Sequence, residues 1–256
     1  MNASSDLYLK EMGLGPRWRL RTPVLVEPEP VAAVSAAPEP VVAAKIEAPA
    51  AAPEQGDVPS GSRRAAIMAM DWPTLCDDIR ACRACPLSAT RTQAVPGVGA
   101  TRADWLFVGE APGADEDAQG EPFVGQAGKL LDAMLAAIGL KRGDNVYIAN
   151  VLKCRPPGNR NPAAEEVLCC EPYLQRQVEL LQPKLIVALG KFAAQTLLGQ
   201  DTPIARLRGG VQRYQGIPLI VTYHPAYLLR TLPDKAKAWQ DLCLAVQTMR
   251  AAGQAG

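Results

Sequence analysis

The chain has 256 residues, of which 48% are hydrophobic and 5% aromatic, and its formal net charge is +1. This length and apolar fraction allow one substantial folded domain with additional segments. The near-neutral charge excludes a polycation that coats nucleic acid, so any nucleic-acid binding must depend on local basic patches.

The first 67 residues predict no folded core. Residues 1–22 mix aromatic, aliphatic and basic side chains, which is typical of a short docking segment, although a frayed amphipathic end would look the same. Residues 23–67 are rich in Ala, Pro, Glu and Val and predict a disordered linker. No secretory signal and no apolar run of membrane-spanning length occur, so we expect a cytoplasmic protein that does not bind membranes. The folded domain is expected over residues 68–252.

Short apolar runs alternate with helical patterns throughout that domain. The runs WLFVGEA, VYIANVLKC, KLIVALG and PLIVTYH are rich in Val, Ile and Leu, as expected for parallel strands buried on both faces. Between them, AGKLLDAMLAAIG, AAEEVLCCEPYLQRQVELL and KFAAQTLLG have apolar residues at helical spacing. The alternation predicts a doubly wound α/β sheet, in which ligands bind beyond the carboxyl ends of the strands.

The cysteine spacing is the most specific local signal. Cys82 and Cys85 form a C-x2-C pair, Cys154 follows the second strand, and Cys169 and Cys170 lie in a predicted helix. Side chains of adjacent helical residues point about 100° apart, so only one of the last pair is expected to face a shared metal. Thiolates without histidine or carboxylate neighbours suit zinc or an iron-sulfur cluster. Zinc ribbons usually close with a second C-x2-C, which is missing here, so the cluster is favoured.

An acidic, glycine-rich loop, GEAPGADEDAQGEPFVGQAG, follows the first strand at residues 109–128. It lacks the G-x-G-x-x-G and G-K-[ST] patterns, and its acids would repel nucleotides, so nucleotide binding is not expected. Carboxylates at a strand end can position water or stabilise a developing cation, and Phe123 could provide a flat surface for a base. A solvated acidic loop with Phe123 in the core is an equally good interpretation.

Polar residues also follow the later strands. Asn150 lies late in the second strand, and its amide offers one acceptor and two donors, which can distinguish bases by their edges. The only histidine, His224, ends the fourth strand, where it could be an acid, base or hydrogen-bond donor, or an ordinary polar residue. Basic residues flank the same predicted crevice and suggest a track for phosphates: Lys153, Arg155, Arg160 and Arg230.

Taken together, these motifs resemble the family 4 uracil-DNA glycosylases, the iron-sulfur branch of that superfamily. The resemblance rests on GEAPGADED, GEPFVGQAG, NVLKCRPPGNR, the spaced cysteines and HPAYLLR, and it extends from about Cys82 to Met249. It implies a three-layer α/β/α domain with a central four-stranded parallel sheet. It also implies a four-iron, four-sulfur cluster bound by four cysteines, with Cys170 rather than Cys169 as the last ligand: Cys82, Cys85, Cys154 and Cys170.

The resemblance further implies roles for the polar residues. Glu110, Ala111 and Pro112 would line a uracil pocket, with Phe123 stacked on the base and Asn150 on its O4 and N3 edge. Glu116 would lie near C5, where it would exclude the thymine methyl group or order water. His224 would donate to uracil O2 as the glycosidic bond breaks. These expectations name Glu110, Glu116 and His224 as catalytic, while the residue that positions the hydrolytic water stays open, because relatives have aspartate where this chain has Ala111.

The expected substrate is uracil-containing DNA, single- or double-stranded, whose target nucleotide is flipped out of any duplex. We expect a monomer, with residues 1–22 able to recruit a replication or repair protein. One alternative is a relative that becomes covalently trapped on uracil-containing DNA. The basic loop ending in histidine of that branch is missing from NVLKCRPPGNRNP, so hydrolysis with turnover is preferred. The other alternative is a non-catalytic iron-sulfur interaction module.

Overall fold

The folded domain begins earlier than the sequence predicts. The structure, a computed structural model, describes residues 60–253, so the expected docking segment and most of the expected linker lie outside the described residues. The predicted boundary at residue 68 is wrong, because helix α1, Ser60–Met68, packs on the domain. Ile67 is 1% exposed, and Arg64 bonds to Glu171 and Gln175. A nine-residue, polar helix with so few apolar positions has too little periodicity to be recognised from sequence.

The four predicted strands form the centre of one sheet. Within residues 60–253 this sheet has six strands in the order β1-β3-β2-β4-β6-β5, of which the middle four are parallel and the two outer ones antiparallel. The strands are β1 Val98–Gly99, β2 Trp105–Gly109, β3 Val146–Asn150, β4 Leu185–Leu189, β5 Val211–Tyr214 and β6 Ile217–Thr222. The outer strands were not predicted, because β1 has two residues and β5 alternates exposed and half-buried positions.

Helices cover both faces of this sheet. After α1 they are α2 Trp72–Ala81, α3 Ala114–Gln119, α4 Gln126–Ala137, α5 Ala164–Leu181, α6 Lys191–Leu198, α7 Ile204–Leu207, α8 Pro225–Arg230 and α9 Lys235–Gly253. Helix α2 begins where the carboxylate of Asp71 accepts the N–H of Thr74 at 3.0 Å, a standard N-cap. None of the helices described between residues 60 and 253 is long and apolar enough to cross a membrane.

Side chains at alternate strand positions pack into two separate hydrophobic cores, one on each face of the sheet. On one face, Leu106, Ala149 and Ile186 pack with helices α5 and α6. On the other face, Phe107 and Val187 pack with α4 and α9. The strand residues on both faces are fully buried, which explains why the strands read as continuous apolar runs. The expected three-layer α/β/α arrangement is confirmed.

The parallel strands end level with one another. Gly109 at the end of β2 pairs with Asn150 at the end of β3, and Leu189 in β4 pairs with Thr222 in β6. The segments that follow therefore emerge along one edge of the sheet, which is where ligands bind in open α/β folds.

Candidate active site

A cavity of about 720 Å³ opens at this carboxyl edge. It brings together segments that are distant in sequence, because each follows a different central strand. Every residue expected to bind the base or to take part in chemistry lines it: Glu110, Ala111, Pro112, Glu116, Phe123, Asn150 and His224.

Phe123 forms one wall of this cavity in an uncommon backbone conformation. Its φ of 56° lies in the left-handed region, which is a rare conformation for an aromatic residue. Arg142 holds the segment in place, since its guanidinium donates to the carbonyl oxygens of Pro122 and Phe123, each at 2.8 Å. Asp132 accepts from the same guanidinium at 3.0 Å. Sequence reasoning missed Arg142 because it lies outside every recognised motif.

Gly109 lets two cavity side chains meet at the end of β2. A Cβ atom at this position would lie 2.4 Å from Asn150 Oδ1 and 2.6 Å from Phe123 Cζ. Neither distance is compatible with a normal contact, so any side chain here would displace the amide or the ring. The first glycine of the GEAPG motif is therefore needed for the shape of the cavity.

Asn150 places an unused acceptor in the cavity wall. The residue is 2% exposed, and its Oδ1 atom has no hydrogen-bond partner among residues 60–253. A buried acceptor without a partner costs about 1–3 kcal/mol, and native structures keep few of them. Such an atom is available to a ligand that brings its own N–H group.

His224 is held in one tautomer at the start of helix α8. Its Nδ1 atom accepts the N–H of Ala226 at 3.2 Å, so the proton of the neutral ring is on Nε2. Burial, with a smaller contribution from the nearby charge of Arg230, lowers the pKa of His224 to about 4. The ring centroid lies 5.5 Å from that of Phe123. At neutral pH His224 is therefore an uncharged donor beside the aromatic wall.

Two carboxylates line the cavity, and their surroundings differ. Burial raises the pKa of Glu110 to about 6, and its side chain makes no hydrogen bond to the described residues. Glu116 accepts the N–H groups of Gly113 and Val124, both at 3.0 Å, and of Gly125 at 3.2 Å. Glu116 therefore organises the acidic loop, whereas Glu110 keeps both oxygens free for a ligand or water.

The predicted phosphate track is only partly present. Arg160 and Arg230 line the cavity and are exposed, but Arg160 is bonded to both oxygens of the buried Glu166, at 2.5 and 2.9 Å. Arg155 is half-buried beyond the cavity lining and donates to Asn159 at 2.8 Å. Of the predicted cations, Arg230 is thus the one on the cavity rim that keeps its charge available.

Lys153 does not belong to the phosphate track. It is 1% exposed, and its Nζ atom donates to Asn150 O and Gln177 Oε1, each at 2.7 Å. The prediction that it contacts DNA phosphates is therefore wrong, because a basic residue in a motif reveals its charge and not its burial. Lys191 was missed instead: it lines the cavity directly after β4, where the strand-end rule used for Asn150 would have found it.

The cysteines meet in a second, smaller cavity, the thiol cavity. The four expected ligands come from the segment after α2, from the segment after β3 and from α5, and they line it together with Cys169: Cys82, Cys85, Cys154 and Cys170. Cys170 is 4% exposed, whereas Cys169 is half-buried and directs its thiol at the carbonyl oxygen of Ala84, 3.5 Å away.

The surroundings of these thiols fit an anionic cluster. Arg91 donates to Cys154 Sγ at 2.7 Å, and Arg63 of helix α1 donates to Cys82 Sγ at 3.6 Å. Guanidinium donors at sulfur stabilise the thiolate form that metal binding requires. Within the described part of the chain, no three His, Cys, Asp or Glu side chains are grouped closely enough to hold one metal ion.

Comparison with known proteins assigns the region that carries the sheet and the larger cavity to one family. Residues 96–243 match the model of the Uracil DNA glycosylase superfamily. A type-4 uracil-DNA glycosylase of Archaeoglobus fulgidus is 53% identical over 160 residues, which cover 59% of this chain and 80% of that protein. One from Pyrobaculum aerophilum is 44% identical over 183 residues, covering 68% and 93%. A type-5 uracil-DNA glycosylase of the same organism is 35% identical over 150 residues, covering 52% and 66%.

Proposed function

Because the chain belongs to the uracil-DNA glycosylase superfamily, and within it to the type-4 branch, we propose that the cavity at the sheet edge is its uracil-binding active site. The chain is a DNA repair hydrolase that removes uracil from DNA. Cleavage of the N-glycosidic bond of deoxyuridine releases the free base and leaves an abasic site. The roles of the individual residues follow from the contacts around the cavity.

The unused acceptor of Asn150 is the observation that carries this assignment. Uracil has a donor at N3 and an acceptor at O4, whereas cytosine has an acceptor at N3 and a donor at N4. Asn150 Oδ1, buried and without a partner among the described residues, would accept the N3–H of uracil, while the amide N–H groups of Asn150 donate to O4. Cytosine would leave Oδ1 unpaired and place two acceptors or two donors against each other, which is a strong basis for rejection.

The neighbouring residues complete the base pocket. Phe123 would stack on the flat face of the uracil ring, and its fixed backbone keeps the ring there before the base arrives. Ala111 and Pro112 form an apolar part of the pocket wall. Glu116 is tied to three backbone N–H groups, so we assign it to holding the loop wall that excludes the C5 methyl group of thymine rather than to activating water.

His224 would stabilise the leaving base. As the glycosidic bond breaks, negative charge grows on uracil O2, and a neutral Nε2–H donor becomes a stronger partner as that charge develops. A donor that is already oriented, here by the bond between His224 Nδ1 and the Ala226 N–H, needs no reorganisation at that moment.

Glu110 would act on the sugar side of the bond. Its carboxylate is ionised at neutral pH and has no hydrogen-bond partner among residues 60–253, so it can stabilise positive charge on the sugar and orient the attacking water. The aspartate that relatives place one residue later is Ala111 here, which leaves Glu110 as the cavity carboxylate with free oxygens.

The DNA would reach this pocket with its target nucleotide turned out of the helix. Arg230 on the rim would hold the flanking phosphates. Arg160 and Lys191 would contribute less, because Arg160 is paired with Glu166 and Lys191 with Asp201 at 3.7 Å. Residues 1–22, outside the described part of the chain, would recruit a replication or repair protein in the cytoplasm.

The thiol cavity would bind a four-iron, four-sulfur cluster through Cys82, Cys85, Cys154 and Cys170. When bound, such a cluster supplies cross-links between three distant chain segments, and no step of the base-removal chemistry needs it. Arg63 and Arg91 would balance its negative charge.

The test is a panel of duplexes that carry uracil, cytosine or thymine at one position. We expect the parent chain to produce alkali-labile abasic sites at uracil alone. Asn150→Asp should lower uracil excision by about 100-fold or more, because it loses both amide donors and sets a carboxylate against O4. Asn159→Asp makes the same change of charge on the cavity rim and should excise uracil nearly as the parent does. Equal excision by the parent and Asn150→Asp would exclude Asn150 from base reading.

Denaturing the protein after its reaction with DNA distinguishes a covalently trapped relative from an enzyme that turns over. A relative trapped on its substrate would leave a protein-DNA adduct that survives detergent, with no more than one abasic site per chain. The reaction proposed for this cavity leaves no adduct, and a non-catalytic module would produce neither product.

A further inference from the structure

Lys153 is a buried cation between the two cavities. It lines the thiol cavity and is 1% exposed, yet its ammonium group is bonded to neutral oxygens, Asn150 O and Gln177 Oε1. A buried charge is costly unless an opposite charge lies nearby. The thiols of Cys154 and Cys170, two of the expected cluster ligands, line the same cavity as Lys153. Once ionised as thiolates, they would supply that opposite charge.

The main chain of Lys153 is attached to the same surroundings. Its carbonyl oxygen accepts the N–H of Val95 at 2.7 Å. Cys154 follows directly in sequence. Displacement of the thiols would therefore move the backbone of Lys153 as well as change the charge around its ammonium group.

At the other end, Lys153 fixes the residue assigned to base reading. Its ammonium group donates to the carbonyl oxygen of Asn150, the last residue of β3, at 2.7 Å. Gln177 braces the ammonium group from helix α5, and its Nε2 atom donates to Pro96 O at 2.8 Å. The side chain of Asn150 makes no bond through Oδ1 to the described residues, so the residue is held through its backbone, by the pairing with Gly109 in the sheet and by this contact with Lys153.

We propose that Lys153 is a positioning residue that couples the cysteine cluster to uracil recognition by holding Asn150 in its reading position. The inference rests on the proposed function of Asn150 and on cluster binding by the cysteines. Lys153 contacts neither DNA nor uracil. It transmits the geometry of the thiol cavity to the active site through the short segment 150–154.

The direct test replaces Lys153 with methionine, which has a similar length but no ammonium group. In iron-replete Lys153→Met we expect single-turnover uracil excision to fall about 10- to 100-fold, as a displacement of about 1 Å at a reacting group would cause. The matched control is Lys184→Met, which removes an exposed lysine paired with Asp104 at the opposite end of the sheet and should excise at the parent rate.

A second measurement separates positioning from general damage. Duplexes with 2′-fluoro-2′-deoxyuridine or 2′-fluoro-2′-deoxycytidine resist cleavage, so the ratio of their affinities reports base reading alone. For Lys153→Met this ratio should fall about 10-fold towards one, since misplaced hydrogen bonds lose discrimination, while affinity for a duplex with a tetrahydrofuran abasic site stays within about twofold. A merely structural role would lower both affinities together.

Gln177→Leu keeps the proposal testable if Lys153→Met fails to bind iron. It removes the brace from the other end and leaves the lysine and the cysteines in place, so a smaller loss of the same base discrimination is expected. Parent-like excision and discrimination in iron-replete Lys153→Met, or in Gln177→Leu where the first variant is iron-free, would overturn the coupling. Failure of the proposed function would look different, because the parent chain itself would release no uracil.

Discussion

The carboxyl group of Glu110 makes a prediction about pH. Its folded-state pKa of about 6 lies above the 4.5 of a free glutamate, so the group is ionised at pH 7.5 and becomes protonated as the pH falls through 6. If the carboxylate acts on the sugar and water, single-turnover excision should fall below about pH 6. The pKa of His224, about 4, is too low to cause this loss. Glu110→Gln should be slow throughout and should lack the inflection near pH 6.

The stability of the same variant provides the control. A buried carboxylate whose pKa is raised destabilises the fold above the folded pKa, and this cost disappears as the pH falls from 6 through 4.5. Glu110→Gln should therefore have a higher Tm than the parent at pH 7.5, and the difference should shrink at pH 5. An inflection near pH 6 that persists in Glu110→Gln would assign the titration to another group.

The proposed role of His224 predicts that its removal slows excision without weakening the binding of DNA. Removal of one preorganised donor to a developing oxyanion typically costs about 3–4 kcal/mol, so His224→Ala should slow single-turnover excision roughly 100- to 1000-fold. Binding of abasic DNA should change little, because the effect is confined to the transition state. Folded, iron-replete protein must be compared, since loss of the cap at the start of α8 also lowers stability. A rate within a few-fold of the parent would remove His224 from the mechanism.

Among the secondary-structure elements, helix α5 allows a test of which cysteine is the fourth cluster ligand. It carries Cys169 and Cys170 on neighbouring positions, and both line the thiol cavity, but Cys170 is 4% exposed whereas Cys169 directs its thiol at the carbonyl oxygen of Ala84. Cys170→Ser should lose iron and fold poorly, whereas Cys169→Ser should keep its iron and its visible absorbance. Equal iron content in the two purified variants would reject Cys170 as the specific fourth ligand.

The central strands could be predicted because both of their faces are buried, which leaves a continuous apolar run in the sequence. The outer strands could not, since β1 is two residues long and β5 is half-exposed. Helix α1 was hidden for a similar reason: its attachment depends on Ile67 and on contacts with α5 far along the chain. Local periodicity records burial within one segment and not contacts between distant segments.

The candidate site was predicted in outline for a different physical reason. Residues that follow parallel strands must emerge at one edge, so Glu110, Asn150 and His224 could be brought together before their contacts were known. Lys153 shows the limit of this reasoning. It follows a strand end and carries a charge, but its side chain turns into the interior, where three-dimensional packing decides its role. The tautomer of His224 likewise depends on a bond that spacing does not reveal.

For the whole molecule, the start of the folded domain can be tested by truncation. Helix α1 reaches the edge of the thiol cavity through Arg63, which donates to Cys82 Sγ at 3.6 Å and to the carbonyl oxygen of Cys169 at 3.0 Å. Removal of residues 1–59 should leave iron content unchanged and excision from short oligonucleotides within about threefold, because a linker of this composition adds no wall to the pocket. Removal of residues 1–68 should lower both iron content and Tm. Identical behaviour of the two truncations would show that α1 is dispensable.

The most direct test of the account is a count of free uracil released by the full-length, iron-replete chain from a duplex that carries a single uracil. Hydrolysis with turnover predicts several moles of free uracil per mole of chain, matched by an equal number of abasic sites and by no detergent-stable adduct. At most one uracil per chain together with such an adduct, or no free uracil at all, would contradict the account.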